Sequence, residues 1–152
     1  MSVRLERLTA ADPQLFRRLA DLFGAARLAA MPELPVQHTP AENAEYLQGC
    51  LPDSEIWLAR DAQDGLLGFI VFDADWIDHL YLAPSAWRQG IGTQLVLRAL
   101  ADGRARQLWC FQENRSACAF YESLGFVAVE STAGEANEEK RPDVRYRHPG
   151  LH

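Results

Sequence analysis

The sequence predicts an α/β protein with a partly antiparallel sheet and helices on both faces. Three observations carry that expectation. Apolar residues switch repeatedly between helical and strand spacing over 152 residues, a length that suits one domain. Two segments in the second half read as strand, short polar loop and helix, which sets helices against a sheet. A polar stretch holding Asp64-Gly65 separates two short apolar runs, a hairpin signal that makes neighbouring strands antiparallel.

Each element has a local reason. Val3, Leu5 and Leu8, set among Arg4, Glu6 and Arg7, predict a first strand with one wet face. Thr9 to Asp12 offers capping residues and Pro13 suits a first helical turn. Leu15, Leu19, Leu22 and Phe23 then carry a helix to about Leu28. Met31 to Pro40 holds three prolines and reads as a loop. Thr39-Pro40-Ala41-Glu42 has the form of a capping box, leading a second helix to about Cys50. Glu55–Arg60 and Leu66–Phe72 are the hairpin strands. The second is almost wholly apolar, as a central strand covered on both faces should be. Ile77–Ala83 is a further strand closed by Pro84. Gly90–Leu100 is a helix, with Ile91, Leu95 and Ala99 on one stripe. Gln107–Phe111 returns to strand. Asn114 caps a helix with Ala117, Phe120, Tyr121 and Leu124 at i, i+3, i+4 and i+7. Gly125 takes the left-handed position after it. Phe126–Val129 and Val144–Arg147 are the last strands, and Ser131 to Arg141 reads as a polar, exposed loop.

Composition excludes several classes. Acidic residues (21) exceed basic ones (15), a formal charge of −6 that argues against phosphate-backbone binding and a polybasic membrane module. No apolar run reaches the roughly 18 residues of a membrane span, and Met1 to Thr9 has no signal-peptide core. Cys50, Cys110 and Cys118 lack metal-ligand spacing, as do His38, His79, His148 and His152, so no metal is expected. Free thiols suit a reducing cytoplasm.

The chemistry concentrates in Ile77 to Pro84 followed by Ser85-Ala86-Trp87-Arg88-Gln89-Gly90-Ile91-Gly92-Thr93. Two glycines open an amphipathic helix after a strand. Backbone can approach a ligand closely there, and unpaired helix N–H groups favour an anion such as a pyrophosphate. A plain tight turn is the alternative. No Gly-Lys-Ser/Thr follows, so this is not a P-loop, and the third glycine of a dinucleotide fingerprint is missing. The second segment, Asn114 to Phe126, begins 24 residues after Gly90.

With both segments in this order, the sequence resembles the GNAT superfamily of acyl-CoA-dependent N-acyltransferases, over almost the whole chain. The resemblance implies a mostly antiparallel sheet of six to seven strands with about four flanking helices, in a single domain over residues 1–152. Gln89-Gly90-Ile91-Gly92 is similar to the family's pyrophosphate-binding motif. Trp87 departs from the Gln or Arg often found at its position, and the neighbouring Arg88 offers the charge instead. Acetyl-CoA is implied as co-substrate. Its pyrophosphate would meet the Gln89, Gly90, Ile91, Gly92 and Thr93 amides, and its pantetheine would lie between Leu80–Leu82 and Leu108–Gln112, splayed apart like a V. The strand Leu80-Tyr81-Leu82 would supply an amide to polarise the thioester, worth a few kcal/mol. Asn114 would bond the pantetheine arm and Phe120 would pack on it, though the residues alone also read as a helix cap and a core aromatic.

Tyr121 occupies the position where the family places the acid for the departing thiolate. The chemistry is reasonable, since a thiol titrates near ~8.5 and a phenol near ~10. Core packing is the competing reading. An acceptor amine of pKa near ~10 is roughly 10³-fold depleted in its free form at pH 7, a handicap of about 4 kcal/mol. Asp78 is the best candidate for its base. His79 alternates to the opposite face, and Asp75, Glu33 and His38 are weaker options. Glu138 and Glu139 would recruit a cationic acceptor if the loop holding them reaches the site. The expected activity is direct acetyl transfer to a small-molecule or protein amine by a cytoplasmic monomer or homodimer. The alternatives are a non-catalytic acyl-CoA-binding or sensing module, and an interaction subunit that binds no CoA.

Overall fold

A computed structural model describes residues 2–151; Met1, and His152 among the histidines noted above, lie outside them. The chain runs β1 (Arg4–Leu8), α1 (Pro13–Ala30), α2 (Pro40–Gly49), β2 (Glu55–Arg60), β3 (Leu66–Phe72), β4 (Ile77–Leu82), a 3₁₀ turn at Pro84–Ala86, α3 (Ile91–Ala99), β5 (Arg106–Phe111), α4 (Arg115–Ser123), β6 (Val127–Thr132) and β7 (Asp143–His148). The expected element order is therefore observed. So are the expected caps. Asp12 accepts from Gln14 and Leu15 amides, Thr39 and Glu42 close a capping box, and Asn114 accepts from the Ala117 amide. Gly125 has φ +97°, and the Phe126 amide reaches back to the Tyr121 carbonyl at 3.1 Å, closing the end of α4. Asp64 (φ +67°) makes the β2–β3 turn, with Asp61 accepting from the Gln63 and Gly65 amides.

The strands form two antiparallel sheets, β1-β2-β3-β4 and β5-β7-β6. One parallel bridge, Trp76 to Gln107, joins them. β3 separates two cores, as its uninterrupted apolar sequence predicts. Phe69 and Val71 pack with Phe16, Leu19 and Leu47 of α1 and α2. Ile70 and Phe72 pack with Ile91, Leu95 and Val96 of α3. Truncating a side chain such as Phe69 to Ala would cost about 3–5 kcal/mol.

One expectation holds only in part. Ser131 to Arg141 is not simply a solvated loop, because Ser131 and Thr132 extend β6 past a bulge at Val129. The rest folds on itself: the Asn137 side chain donates to the Arg141 carbonyl (2.7 Å) and accepts from its amide (3.1 Å), and Thr132 donates to Asp143. Polar residues here bond one another and α1 rather than water alone, so polarity misreads their surroundings.

Candidate active site

The site begins where the two sheets part. Arg106, at the start of β5, is 2% exposed. Its Nε donates to the Asp73 carbonyl at 2.8 Å, and its two terminal nitrogens grip Asp102 at 2.7 and 2.9 Å. That grip holds the Asp102 carboxyl far below the usual range. The Gln107 amide donates to the Asp75 carbonyl at 2.9 Å. These contacts pin the vertex of a wedge; β4 and β5 diverge from there.

The free edge of β4 faces the opening. Ala83 donates to the Leu67 carbonyl at 2.8 Å, and hydrogen-bonded pairs alternate along an antiparallel ladder. Tyr81 and His79 therefore exchange bonds with β3, leaving the Leu80 and Leu82 backbone groups turned toward the wedge. The Trp87 indole N–H takes the Leu82 carbonyl at 3.2 Å. This gives the departing residue of the loop motif a structural role.

Strict alternation fails at the other end of β4. Val71 pairs with His79, but Phe72 pairs with Ile77, so Asp78 is the extra residue of a β-bulge. The bulge resets the faces: Ile77, Leu80 and Leu82 share the α3-side core, while His79 and Tyr81 turn to α1 and α2. Asp78 and His79 both line the cleft. The expectation that they lie on opposite faces is corrected.

At the far end, Gly90 precedes α3 as its N-cap with a left-handed φ of +79°, and among the described residues no side chain caps the first turn. Gln89 spends its amide on the Ser85 carbonyl at 3.1 Å, and Arg88 is exposed. Ile91 is wholly buried, so only its backbone is available. Thr93 is half-buried. A Cβ on Gly92 would stand 3.2 Å from Phe120 Cζ. Phe120 thus packs against α3 rather than lining the cleft.

α4 contributes Asn114 and Tyr121. Asn114 lines the cleft while capping its helix at 3.2 Å. Tyr121 is 9% exposed, with Phe120, Phe126 and Tyr146 rings 5.3, 5.5 and 6.2 Å away. Among the described residues its hydroxyl makes no hydrogen bond, yet no buried side-chain oxygen or nitrogen goes unpartnered. The oxygen is therefore open to the cleft that its residue lines. Burial pushes its pKa well above the ordinary phenol value. Cys110, beside Cys118 at 3.7 Å, has its thiol raised by burial too, which makes it a poor nucleophile.

The cleft, about 970 Å³, thus collects Asp78, Leu80, Tyr81, Asn114 and Tyr121. Leu82, the Arg88–Thr93 loop and Phe120 are not in its lining. Burial, with Asp73 nearby, raises the Asp78 carboxyl above its usual value. Of the weaker base options, His38 reaches the cleft but pairs with Glu138 at 2.6 Å, and Asp75 pairs with Arg104 at the vertex turn; Glu33 is not in the lining. Glu139 is not free to recruit an acceptor, because Arg27 of α1 holds it at 2.8 Å. Sequence reasoning missed Arg27 and Tyr46. The signal for Tyr46 is an aromatic on a helix, PAENAEYLQG, with little apolar face of its own. Among the described residues no group of three or more His, Cys, Asp or Glu could hold a metal ion, and no helix is long and apolar enough to cross a membrane.

Two antiparallel sheets that part around a cleft, with a glycine-opened helix between them in the chain, are the architecture that the sequence resemblance implies. The model of the Acetyltransferase (GNAT) family matches residues 22–126, and the chain belongs to that family. It is 33% identical over 86 residues to the peptidyl-lysine N-acetyltransferase YjaB of Salmonella typhimurium, covering 57% of this chain. That match takes in 59% of the relative, less than two-thirds of its length. It is 30% identical over 122 residues to the peptidyl-lysine N-acetyltransferase YiaC of Escherichia coli, covering 69% of this chain and 80% of the relative. The solution structure of apo YjaB from Escherichia coli shares the fold, with a TM-score of 0.79 at 20% identity over 99% of this chain and all of that one.

Proposed function

We propose that the chain is an N-acetyltransferase that moves an acetyl group from acetyl-CoA directly to a primary amine, with both substrates bound together. One observation carries the reading: the unpaired edge of β4 and a buried tyrosine, whose hydroxyl has no partner among the described residues, line one cleft. When bound, acetyl-CoA supplies the acetyl group as a thioester. The residues present suit it. The uncapped Gly90–Thr93 turn offers amides to the pyrophosphate, and Arg88 stands beside it. Because the net charge is −6, those phosphates must be met locally. The β4 edge at Leu80, Tyr81 and Leu82 and the Asn114 side chain hold the pantetheine arm. The Leu80 and Leu82 N–H groups point where a thioester carbonyl would need polarising.

Asp78 takes the proton of the acceptor ammonium. Its raised pKa makes it a better base than an ordinary carboxylate. Tyr121, kept protonated by burial, gives its proton to the departing thiolate. As the C–N bond forms and the C–S bond breaks, the nitrogen loses its second proton to solvent. Solvent also returns a proton to Tyr121 and removes the one held by Asp78. The named relatives YjaB and YiaC make a lysine side chain one acceptor to test, beside small amines. Free thiols at Cys50, Cys110 and Cys118 suit the cytoplasm.

The test is acetyl-CoA-dependent thiol release over a panel of small amines and lysine peptides, with melting temperature measured alongside. Release with at least one amine is expected. A melting temperature raised by acetyl-CoA without release would favour the acyl-CoA sensor, and no rise at high excess would overturn acetyl-CoA binding.

A further inference from the structure

Tyr46 of α2 and His79 of β4 meet across the cleft, phenol oxygen to Nε2, at 2.8 Å. The rings cross edge-on, with centroids 5.3 Å apart and planes at 88°. The Phe23 and Tyr81 rings flank the imidazole, with centroids at 6.4 and 6.1 Å. The bulge at Asp78 is what brings this ring to the α2 side. Burial lowers the imidazole pKa to about 4 and raises the Tyr46 phenol to about 12, so both are neutral at physiological pH.

A neutral imidazole has one donor nitrogen and one acceptor nitrogen, whereas a phenol can do either. The phenol is the stronger donor and the imidazole nitrogen the stronger acceptor. The pair therefore settles with Tyr46 O–H donating to Nε2 and the ring proton on Nδ1. That leaves the Tyr46 oxygen, which the Cys50 thiol also neighbours, with only lone pairs to offer. Tyr46 is 56% exposed and lines the cleft beside Asp78, whose charge acts on the phenol through space.

We propose that Tyr46, fixed as an acceptor by its bond to His79, receives an N–H of the acceptor amine and aims the amine's lone pair at the acetyl group. His79 is a positioning residue acting through Tyr46. The inference rests on the acetyltransferase reading and adds a second contact to the amine beside Asp78. An amine that has given one proton to Asp78 still carries two N–H bonds, and these must be held away from the thioester for its lone pair to face it. Tyr46 keeps its own proton throughout, because an imidazole with so low a pKa is a poor base.

The test combines kinetics with a spectroscopic measurement, using n-butylamine and Nα-acetyl-lysine amide as acceptors. Tyr46→Phe should raise acceptor KM roughly tenfold, the size of one lost hydrogen bond, with acetyl-CoA KM changed less than about twofold. His79→Leu should move acceptor KM the same way, and His79→Gln, whose amide oxygen can accept from Tyr46, should restore most of it. In the unsubstituted protein, nitrogen-15 NMR should show His79 protonated on Nδ1. An Nε2–H tautomer, or a Tyr46→Phe protein with unchanged acceptor KM, overturns the proposal and leaves acetyl transfer standing. Binding of acetyl-CoA with no acetylation of any amine overturns the acetyltransferase reading, and this inference with it.

Discussion

Toward α3 the groups offered to a ligand are backbone: the free edge of β4, which lines the cleft at Leu80 and Tyr81, and beyond it a left-handed Gly90 and the uncapped first turn of α3. At its α2 end the cleft is bounded by side chains that meet across long stretches of sequence, Tyr46 with His79, Arg27 with Glu139 and His38 with Glu138. Backbone offers every acyl-CoA the same N–H groups, so the first end suits a cofactor that does not vary. The second end can change with a few substitutions while the fold stays put. It is the part of the molecule where acceptor choice can be written.

Tyr121 stands between the two ends and belongs to neither, so its loss should have the largest effect. Tyr121→Phe keeps the ring among Phe120, Phe126 and Tyr146 and removes only the unpartnered hydroxyl. Turnover should fall about 10²–10³-fold, while the rise in melting temperature caused by acetyl-CoA stays the same. Equal losses in turnover and in that rise would make Tyr121 a packing residue. At the backbone end, Gly92→Val places a Cβ 3.2 Å from Phe120 Cζ and adds two methyl groups beyond it. Acetyl-CoA affinity should drop roughly tenfold, with about 1–3 kcal/mol of stability lost to overpacking. Titration calorimetry separates the two effects, and acceptor KM should move little.

The backbone end was legible in the sequence because its signals are local. Caps at Asp12, Thr39 and Asn114, the Gly90-Ile91-Gly92 run and Gly125 each act within a few residues. They fix the elements and the turn before α3. What escaped depends on register. Nothing in Ile77 to Leu82 marks Asp78 as a bulge, since the extra residue is defined by its pairing with Val71 and Phe72. Without the bulge, alternation sends His79 to the wrong face and hides its partner Tyr46. The parting of the strands is expected only from the family resemblance, not from the residues themselves. It depends on how Arg106 ties Asp73 to Asp102 at the vertex, which no periodicity reports. Arg27 and Glu139, 112 residues apart, lie beyond any local pattern.

The side-chain end should also announce itself in acid. His79 has a folded pKa of about 4, against an ordinary value of 6.5, because burial penalises its charged form. Below about pH 6.5 the unfolded chain binds a proton that the folded chain refuses. Stability contributed by the neutral ring is therefore complete above that pH and is lost as pH falls from 6.5 to 4, with a slope of up to about 1.4 kcal/mol per pH unit. Tyr46, Phe23 and Tyr81 pack on the ring, and none of them holds a positive charge that would steepen the loss. Melting temperatures measured from pH 7 to 4 should decline less steeply for His79→Gln than for the unsubstituted protein. Parallel curves would mean that the ring is protonated freely in the fold.

The smallest effect is expected at the strap over the acceptor end. Arg27 and Glu139 lie 2.8 Å apart with side chains 17% and 16% exposed, so water screens the pair only partly. Glu139→Gln keeps the shape and one hydrogen bond but removes the negative charge, at a cost of about 1 kcal/mol. The residual positive charge of Arg27 then faces the cleft, where it opposes an incoming ammonium. Acceptor KM should rise a fewfold at low salt and less at high salt, and hydrogen exchange of residues 133–142 should quicken. If exchange speeds up while KM stays fixed, the pair holds the strap without setting the charge seen by the acceptor. If KM rises without faster exchange, the Asn137 and Thr132 contacts secure the strap and Glu139 acts on the acceptor through Arg27. Either result assigns this end of the cleft to a particular pair of side chains, as Gly92→Val does for the backbone end.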